Sequence, residues 1–339
     1  VCIIVSMNAG GIFLFQGYNA AKGLFKNDGK NIQTDHRAFL PNYKNNHILW
    51  AEEHFSEFKN LRGEYMSYVE WRRLPYRGKT ITIDENGIRV TPQAAVSADA
   101  PLAVFLGGST MWGTGSDDKN TIPALFARKT RGRYNVLNYG ESGYRAFQSL
   151  VFLQMRMAEG VYPSLVVSYD GVNEYSSSYA EHKSSLSSFR EVQIRERMRD
   201  ADSLPPELSL RHYLGNMVTP LRELTGKITG KIPVRPQVSV HVEFTDDNAQ
   251  KTALALLESW LAIKKTVESG GARFLAVLQP NAAVGNPRTD HLEKKSFDDI
   301  MIEKSCPGFY PMVIELMDTP RYSVLKDNFL DLSSAFDGR

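Results

Sequence analysis

The stretch Leu102-Ala103-Val104-Phe105-Leu106-Gly107-Gly108-Ser109-Thr110-Met111-Trp112-Gly113 decides the fold. Its five successive apolar residues, ended by two glycines, read as a parallel strand buried on both faces, not as a half-exposed alternating strand. The same unit recurs downstream. Residues 134–137 give a second strand, 165–169 a third ending in Asp170-Gly171, 274–278 a fourth and 329–332 a fifth. Helices are expected over 122–131, 146–159 and 246–269. In the last of these Ala253, Leu256, Leu257, Trp260, Ile263 and Val267 share one face, Asp246 or Asp247 can cap the start, and Gly270 ends it. Strand–helix alternation predicts an α/β fold built on a doubly wound parallel sheet. Ligands bind such sheets beyond the carboxyl ends of the strands.

The chain has 339 residues, with 40 Lys and Arg against 38 Asp and Glu, a net charge of +2. That length holds one large domain with attachments, or two. The near-neutral balance gives no reason to expect nucleic acid as a partner. Two cysteines, Cys2 and Cys306, exclude a disulfide framework and a multi-cysteine zinc site. Residues 1–18 are apolar and carry no charge. They read as a truncated membrane anchor or uncleaved export signal, with a buried N-terminal helix as the other reading. Residues 19–98 form an aromatic-rich N-terminal extension, with a helix expected over 46–60. Its alternating run Thr80-Ile81-Thr82-Ile83-Asp84 enters Asn86-Gly87, a hairpin signal. A linker is expected over 91–100. The domain at 99–339 carries an insertion, 175–245, that is serine-rich, then arginine-rich, then proline-bearing. It reads equally as a lid or as a solvated surface excursion.

Three strand ends carry the candidate chemistry. A serine after a buried strand and two glycines, as at Ser109, can be held on a tight turn with its hydroxyl facing a cleft. Gly108 to Gly113 also fits G-x-x-x-x-G, but Thr114 stands where a nucleotide loop needs lysine. An ordinary glycine turn is the plain alternative. At the second end, Asn138-Tyr139-Gly140-Glu141-Ser142-Gly143, the glycines allow a main-chain N–H to approach a substrate oxygen. At the third, Asp170-Gly171-Val172-Asn173-Glu174, the uncharged amide of Asn173 can donate to an oxyanion, or serve as a turn residue.

Taken together, Gly-Gly-Ser-Thr, Asn-x-Gly-x-x-Gly and Gly-x-Asn-Glu, each after its own strand, resemble the first three sequence blocks of the SGNH (GDSL-type) hydrolases. The resemblance covers about residues 101–339. Less specifically, Tyr68, Trp71-Arg72-Arg73, Tyr76, Gly78 and Gly87-Ile88-Arg89 are similar to the N-terminal extension of membrane-attached bacterial members. The resemblance implies a three-layer α/β/α, flavodoxin-like fold. It makes Ser109 the nucleophile, and the N–H groups of Ser109 and Gly143 with the Asn173 amide the oxyanion hole. It implies no cofactor and no metal.

This sequence departs from the family pattern at Gly108, where Asp is usual, and at Glu174, another Asp position. The fourth block, Asp-x-x-His, is missing: Gln33, Lys44, Ala51, Tyr179, Ser209, Val238 and Arg288 stand three residues before the seven histidines. The expectation is that this block lies past residue 339 and that the chain as given has little activity. The implied reaction is hydrolysis of a small-molecule, glycan or lipid ester at the cell envelope or periplasmic face. The alternatives are an O-acyltransferase acting on a polysaccharide and a non-catalytic binding module. Trp112, Tyr144 and Tyr175 are candidates for apolar pocket lining. His47 and His54 could share a helix face, though without a third metal ligand.

Overall fold

The polypeptide preceding the sheet folds into short pieces. The structure, a computed structural model, describes residues 35–92, 99–177, 186, 191, 194, 246–281, 284–287 and 308–338. Helix α1 (Ala51–Asn60) buries Ala51, His54, Phe55 and Glu57. It is shorter than the expected 46–60, because the chain turns at His47, whose φ of +51° is left-handed. His47 is exposed in that turn while His54 is buried, so the two do not share a helix face. Strand β1 (Gly63–Met66) pairs antiparallel with β2 (Glu70–Arg73), and β3 (Tyr76–Arg77) with β4 (Thr82–Ile83). The hairpin signal at Asn86-Gly87 corresponds to a turn closed by Gly87 N–H to Asp84 O at 3.0 Å. The β1–β2 pair has no counterpart in the sequence reading.

Strands β5 (Leu102–Gly107), β6 (Asn135–Asn138), β7 (Leu165–Asp170), β8 (Arg273–Leu278) and β9 (Phe329–Asp331) form one sheet in the order β6-β5-β7-β8-β9. All four pairings are parallel. The helices between them are α2 (Ser109–Trp112), α3 (Ile122–Thr130), α4 (Ala146–Ala158), α5 (Val172–Ser177) and α6 (Asp246–Glu268), followed by α7 over 308–317.

Alternate residues of each strand serve different faces. Val104, Leu106, Val166, Phe274, Ala276 and Leu278 pack with α4, α6 and α7, while Ala103, Phe105, Val136, Val167 and Tyr169 pack with α3. Two covered faces explain why the strands read as continuous apolar runs. The result is the expected three-layer α/β/α sheet in flavodoxin-like order. The six apolar residues singled out on α6 are all at most 1 % exposed. Its terminus differs slightly: the left-handed residue is Gly271, at φ +80°, one past Gly270.

Residues 35–92 attach to the outer edge of this sheet. Isolated bridges link Ile83 to Arg89 and Arg89 to Asn138, the last residue of β6. The opening run 1–18, the insertion beyond 177 save three isolated positions, most of the 91–100 linker and both cysteines lie outside the described residues. Among the described residues no helix is long and apolar enough to cross a membrane.

Candidate active site

Strand β5 ends at a glycine for a steric reason. Gly107 has φ +148°, and a side chain there would strike the carbonyl oxygen of Tyr169 on β7 and come within 3.0 Å of Met111 Cβ. Gly108 then caps the single turn α2, which Ser109 opens. Trp112 N–H donates to Gly108 O, and the N–H groups of Gly113 and Thr114 donate to Ser109 O, all at 2.9 Å. Met111 and Trp112 point inward and are fully buried, whereas Ser109 is half-buried and Thr110 exposed.

The loop after β6 contains a four-residue turn, Glu141 to Tyr144, closed by Tyr144 N–H to Glu141 O at 3.1 Å. Gly143 occupies its third position at φ +82°, where glycine carries no Cβ penalty. Gly143 is half-buried, like Ser109.

The loop after β7 brings Asn173 against both of the others. Its Nδ2 donates to Tyr144 O at 2.7 Å, next to Gly143. The same nitrogen lies where a Cβ on Gly108 would fall, with Asn173 Cγ 3.3 Å from that point. The Asp common at this position in the resembled family would therefore collide with Asn173 as it is placed here. Glu174 holds the loop from within: its carboxylate accepts Ala146 N–H at 2.7 Å and Gly171 N–H at 2.9 Å. Ser109 at the start of α2, Gly143 in its turn and Asn173 in α5 thus follow the carboxyl ends of three adjacent strands, with the Asn173 amide between Gly108 and Tyr144 O.

Residues 43–89 hold the first two loops from outside. Tyr43 OH donates to Gly115 O at 2.6 Å, and His54 Nε2 accepts Gly115 N–H at 2.9 Å. Arg89, 0 % exposed, donates to the carbonyls of Thr80, Trp112, Gly113 and Ser116 and to Asp118. Trp71 Nε1 donates to Ser142 O at 3.2 Å and Arg72 Nη1 to Tyr139 O at 3.2 Å. Sequence reasoning grouped Trp71, Arg72 and Arg89 by resemblance but gave them no role, weighed His54 only with His47, and did not single out Tyr43. Clustering of Trp, Arg and Gly in a short, otherwise polar segment was the available signal.

Among the strongly displaced titratable groups are His54 and Asp170. Burial, aided by the positive charge of Arg89 and opposed by Glu57, pushes His54 down to about 4, so it is a neutral imidazole at pH 7. Its Nδ1 faces Thr80 Oγ1 at 3.4 Å, and that hydroxyl donates to Glu57 at 2.6 Å. Asp170, at the end of β7, is pushed up to about 8, first by burial and then by the nearby Glu174 charge. Its Oδ2 accepts from Ser168 Oγ at 2.6 Å and Trp260 Nε1 at 2.8 Å. Oδ1 has no hydrogen-bond partner among the described residues.

Two expected pocket residues do not line a pocket. Trp112 is 0 % exposed, enclosed by the guanidinium groups of Arg73 and Arg89, and Tyr144 is 1 % exposed with its hydroxyl donating to Trp71 O at 2.5 Å. Both belong to the core beneath the loops. The Tyr175 side chain lies outside the described residues, as do His182, His212, His241 and His291. Among the described residues no group of three or more His, Cys, Asp or Glu could hold a metal ion.

No protein-family profile matches the chain, and no curated protein does. Several solved structures are similar to it. A provisionally assigned acylhydrolase of Bacteroides fragilis NCTC 9343 shares 13 % identity, with 72 % of each chain covered and a TM-score of 0.35. A provisionally assigned lipolytic protein of the G-D-S-L family from Desulfitobacterium hafniense DCB-2 shares 12 %, covering 69 % of this chain and 77 % of the other, with a TM-score of 0.32. The psychrotrophic esterase EstA of a Pseudoalteromonas species shares 10 %, covering 68 % and 76 %, with a TM-score of 0.29.

Proposed function

We propose that the protein is a serine esterase of the SGNH type. The observation that carries this reading is the lodging of the Asn173 amide between Gly108 and the Tyr144 carbonyl. That contact supports the reading by joining the segments that carry Ser109, as nucleophile, and Gly143 and Asn173, as oxyanion donors.

In this reading Ser109 Oγ attacks the ester carbonyl carbon while a general base removes its proton. The carbonyl π electrons move onto oxygen, and that oxyanion accepts hydrogen bonds from the N–H groups of Ser109 and Gly143 and from Asn173. Collapse expels the alcohol, which takes a proton from the base, and water then releases the acid from the acyl-enzyme. The family resemblance assigns the base to a histidine three residues after an Asp, a pattern none of the seven histidines has. Neutral His54 is engaged by Gly115 and Thr80 and is assigned no part in the reaction. Membrane attachment and envelope placement belong to the same proposal and rest on the apolar run 1–18.

The test is hydrolysis of p-nitrophenyl acetate by the full-length gene product and its Ser109→Ala variant. Loss of the p-nitrophenolate burst in the variant is expected. Unchanged turnover in Ser109→Ala would rule the reading out. Analysis of products for free acid or acylated sugar separates hydrolysis from transfer.

A further inference from the structure

Gly143 has no side chain, so only its neighbours can locate its peptide plane. Both preceding residues, Glu141 and Ser142, are gripped by one side chain from outside the sheet. Arg73, on β2, donates from its backbone N–H to Glu141 Oε2 at 3.2 Å, from Nε to Glu141 Oε1 at 3.1 Å and from Nη2 to Ser142 Oγ at 2.6 Å. Glu141 Oε1 also accepts the N–H of Ser142 at 2.7 Å, so the carboxylate is the hub of the turn. It is 1 % exposed, and its charge partner Arg73 is 13 % exposed. The flat guanidinium of Arg73 also lies over Trp112, 4.2 Å from the ring centre, and Trp112 ends the turn that Ser109 begins.

We propose that Arg73 is a positioning residue that sets the Gly143 N–H relative to Ser109. It fixes one loop through Glu141 and Ser142 and the other by stacking on Trp112. This inference rests on the acyl-transfer reading of Ser109, Gly143 and Asn173. The physical demand is geometric: an oxyanion donor works at 2.7–3.1 Å from the developing charge, and a misplacement of about 1 Å costs roughly 100-fold in rate. Arginine suits the task because its planar fork reaches two acceptors while its face stacks on an indole. Lysine offers a single point charge that cannot do both.

Arg73→Met alone leaves Glu141 as a buried unpaired charge, which endangers folding. The experiment therefore uses Arg73→Lys and the charge-neutral pair Arg73→Met/Glu141→Gln in the full-length gene product. Ser109→Ala runs alongside, and the folded fraction is counted by circular dichroism and size-exclusion chromatography. The neutral pair is expected to lose about 10–100-fold in kcat with KM within about twofold, and Arg73→Lys to lose less. A purely structural role would lower the folded fraction and the melting temperature but leave kcat per folded molecule untouched. Folded Arg73→Lys or folded double variant with kcat within twofold of the parent overturns the proposal, as does a loss confined to KM. Retained activity in Ser109→Ala instead brings down the acyl-transfer reading, and this inference with it.

Discussion

The ring of His54 accepts the backbone N–H of Gly115 through Nε2 at 2.9 Å, six residues past the serine that opens α2. Accepting requires that this nitrogen be unprotonated. Protonation would convert the acceptor into a donor facing a donor and place a charge beside buried Arg89.

The consequence is an acid-sensitive contribution to stability. The folded pKa of about 4 lies below the ordinary 6.5, so the unfolded chain binds a proton first as pH falls. The contribution is complete above pH 6.5 and is lost between pH 6.5 and 4. Urea midpoints at pH 7, 5.5 and 4.5 should fall less steeply for His54→Gln, whose amide oxygen can still accept from Gly115, than for the parent. Parallel slopes would contradict the assignment.

Asp170 works in the opposite direction. Its carboxyl is raised from 3.8 to about 8, so the folded state holds a proton that the unfolded chain has released. That stabilisation is full below about pH 4 and drains away as pH rises through 8. Asp170→Asn keeps an acceptor for Ser168 and Trp260 while removing the ionisation. Its denaturation midpoint should therefore be nearly flat from pH 6.5 to 9, where the parent declines.

Gly108 tests the packing of the loops through its contact with the Asn173 amide. Its φ of −84° and ψ of −153° are open to any residue, so the cost of a side chain there comes from Asn173 alone. Gly108→Ala should displace the amide from Tyr144 O and reduce kcat by about 10²-fold, the usual effect of losing one oxyanion donor. The melting temperature should change little. Steady-state kinetics and a thermal melt on the same sample decide it.

Arg89→Met should be structurally severe. It strips five acceptors of a buried cation and leaves Asp118 without its charge partner at 2.9 Å. Breaking a buried pair in this way costs about 3–5 kcal/mol, which chemical denaturation would read as a large fall in midpoint.

The sheet was legible in the sequence because two-sided burial writes itself as unbroken apolar runs, such as Leu102 to Leu106. The three strand-end serine, glycine and asparagine were legible for a related reason: Gly107, Gly143 and Gly171 mark where the chain must turn at positive φ. The β1–β2 pair was not. Gly63, Glu64 and Tyr65 are exposed, and its turn places Tyr68 and Glu70 at positive φ with no glycine to signal it. Nor could burial of Arg72 and Arg89 be foreseen. An arginine surrounded by carbonyls looks in sequence like one in water, since its partners at 112, 113, 116 and 139 are distant along the chain. Trp112 and Tyr144 were misjudged as lining for the same reason, because their covering cations come from β2 and from Arg89.

The anchorage of the loops by residues 43–89 bears on how the molecule could be dissected. Composition invites a cut at the small-residue tract near 93–98, yielding a tidy catalytic module from 99 onward. Such a piece would keep every strand of the central sheet and all three candidate reactive positions. It would forfeit the guy ropes on two of its three turns and bare the flank of β6, so the proposed reactive geometry is the property most exposed to that cut.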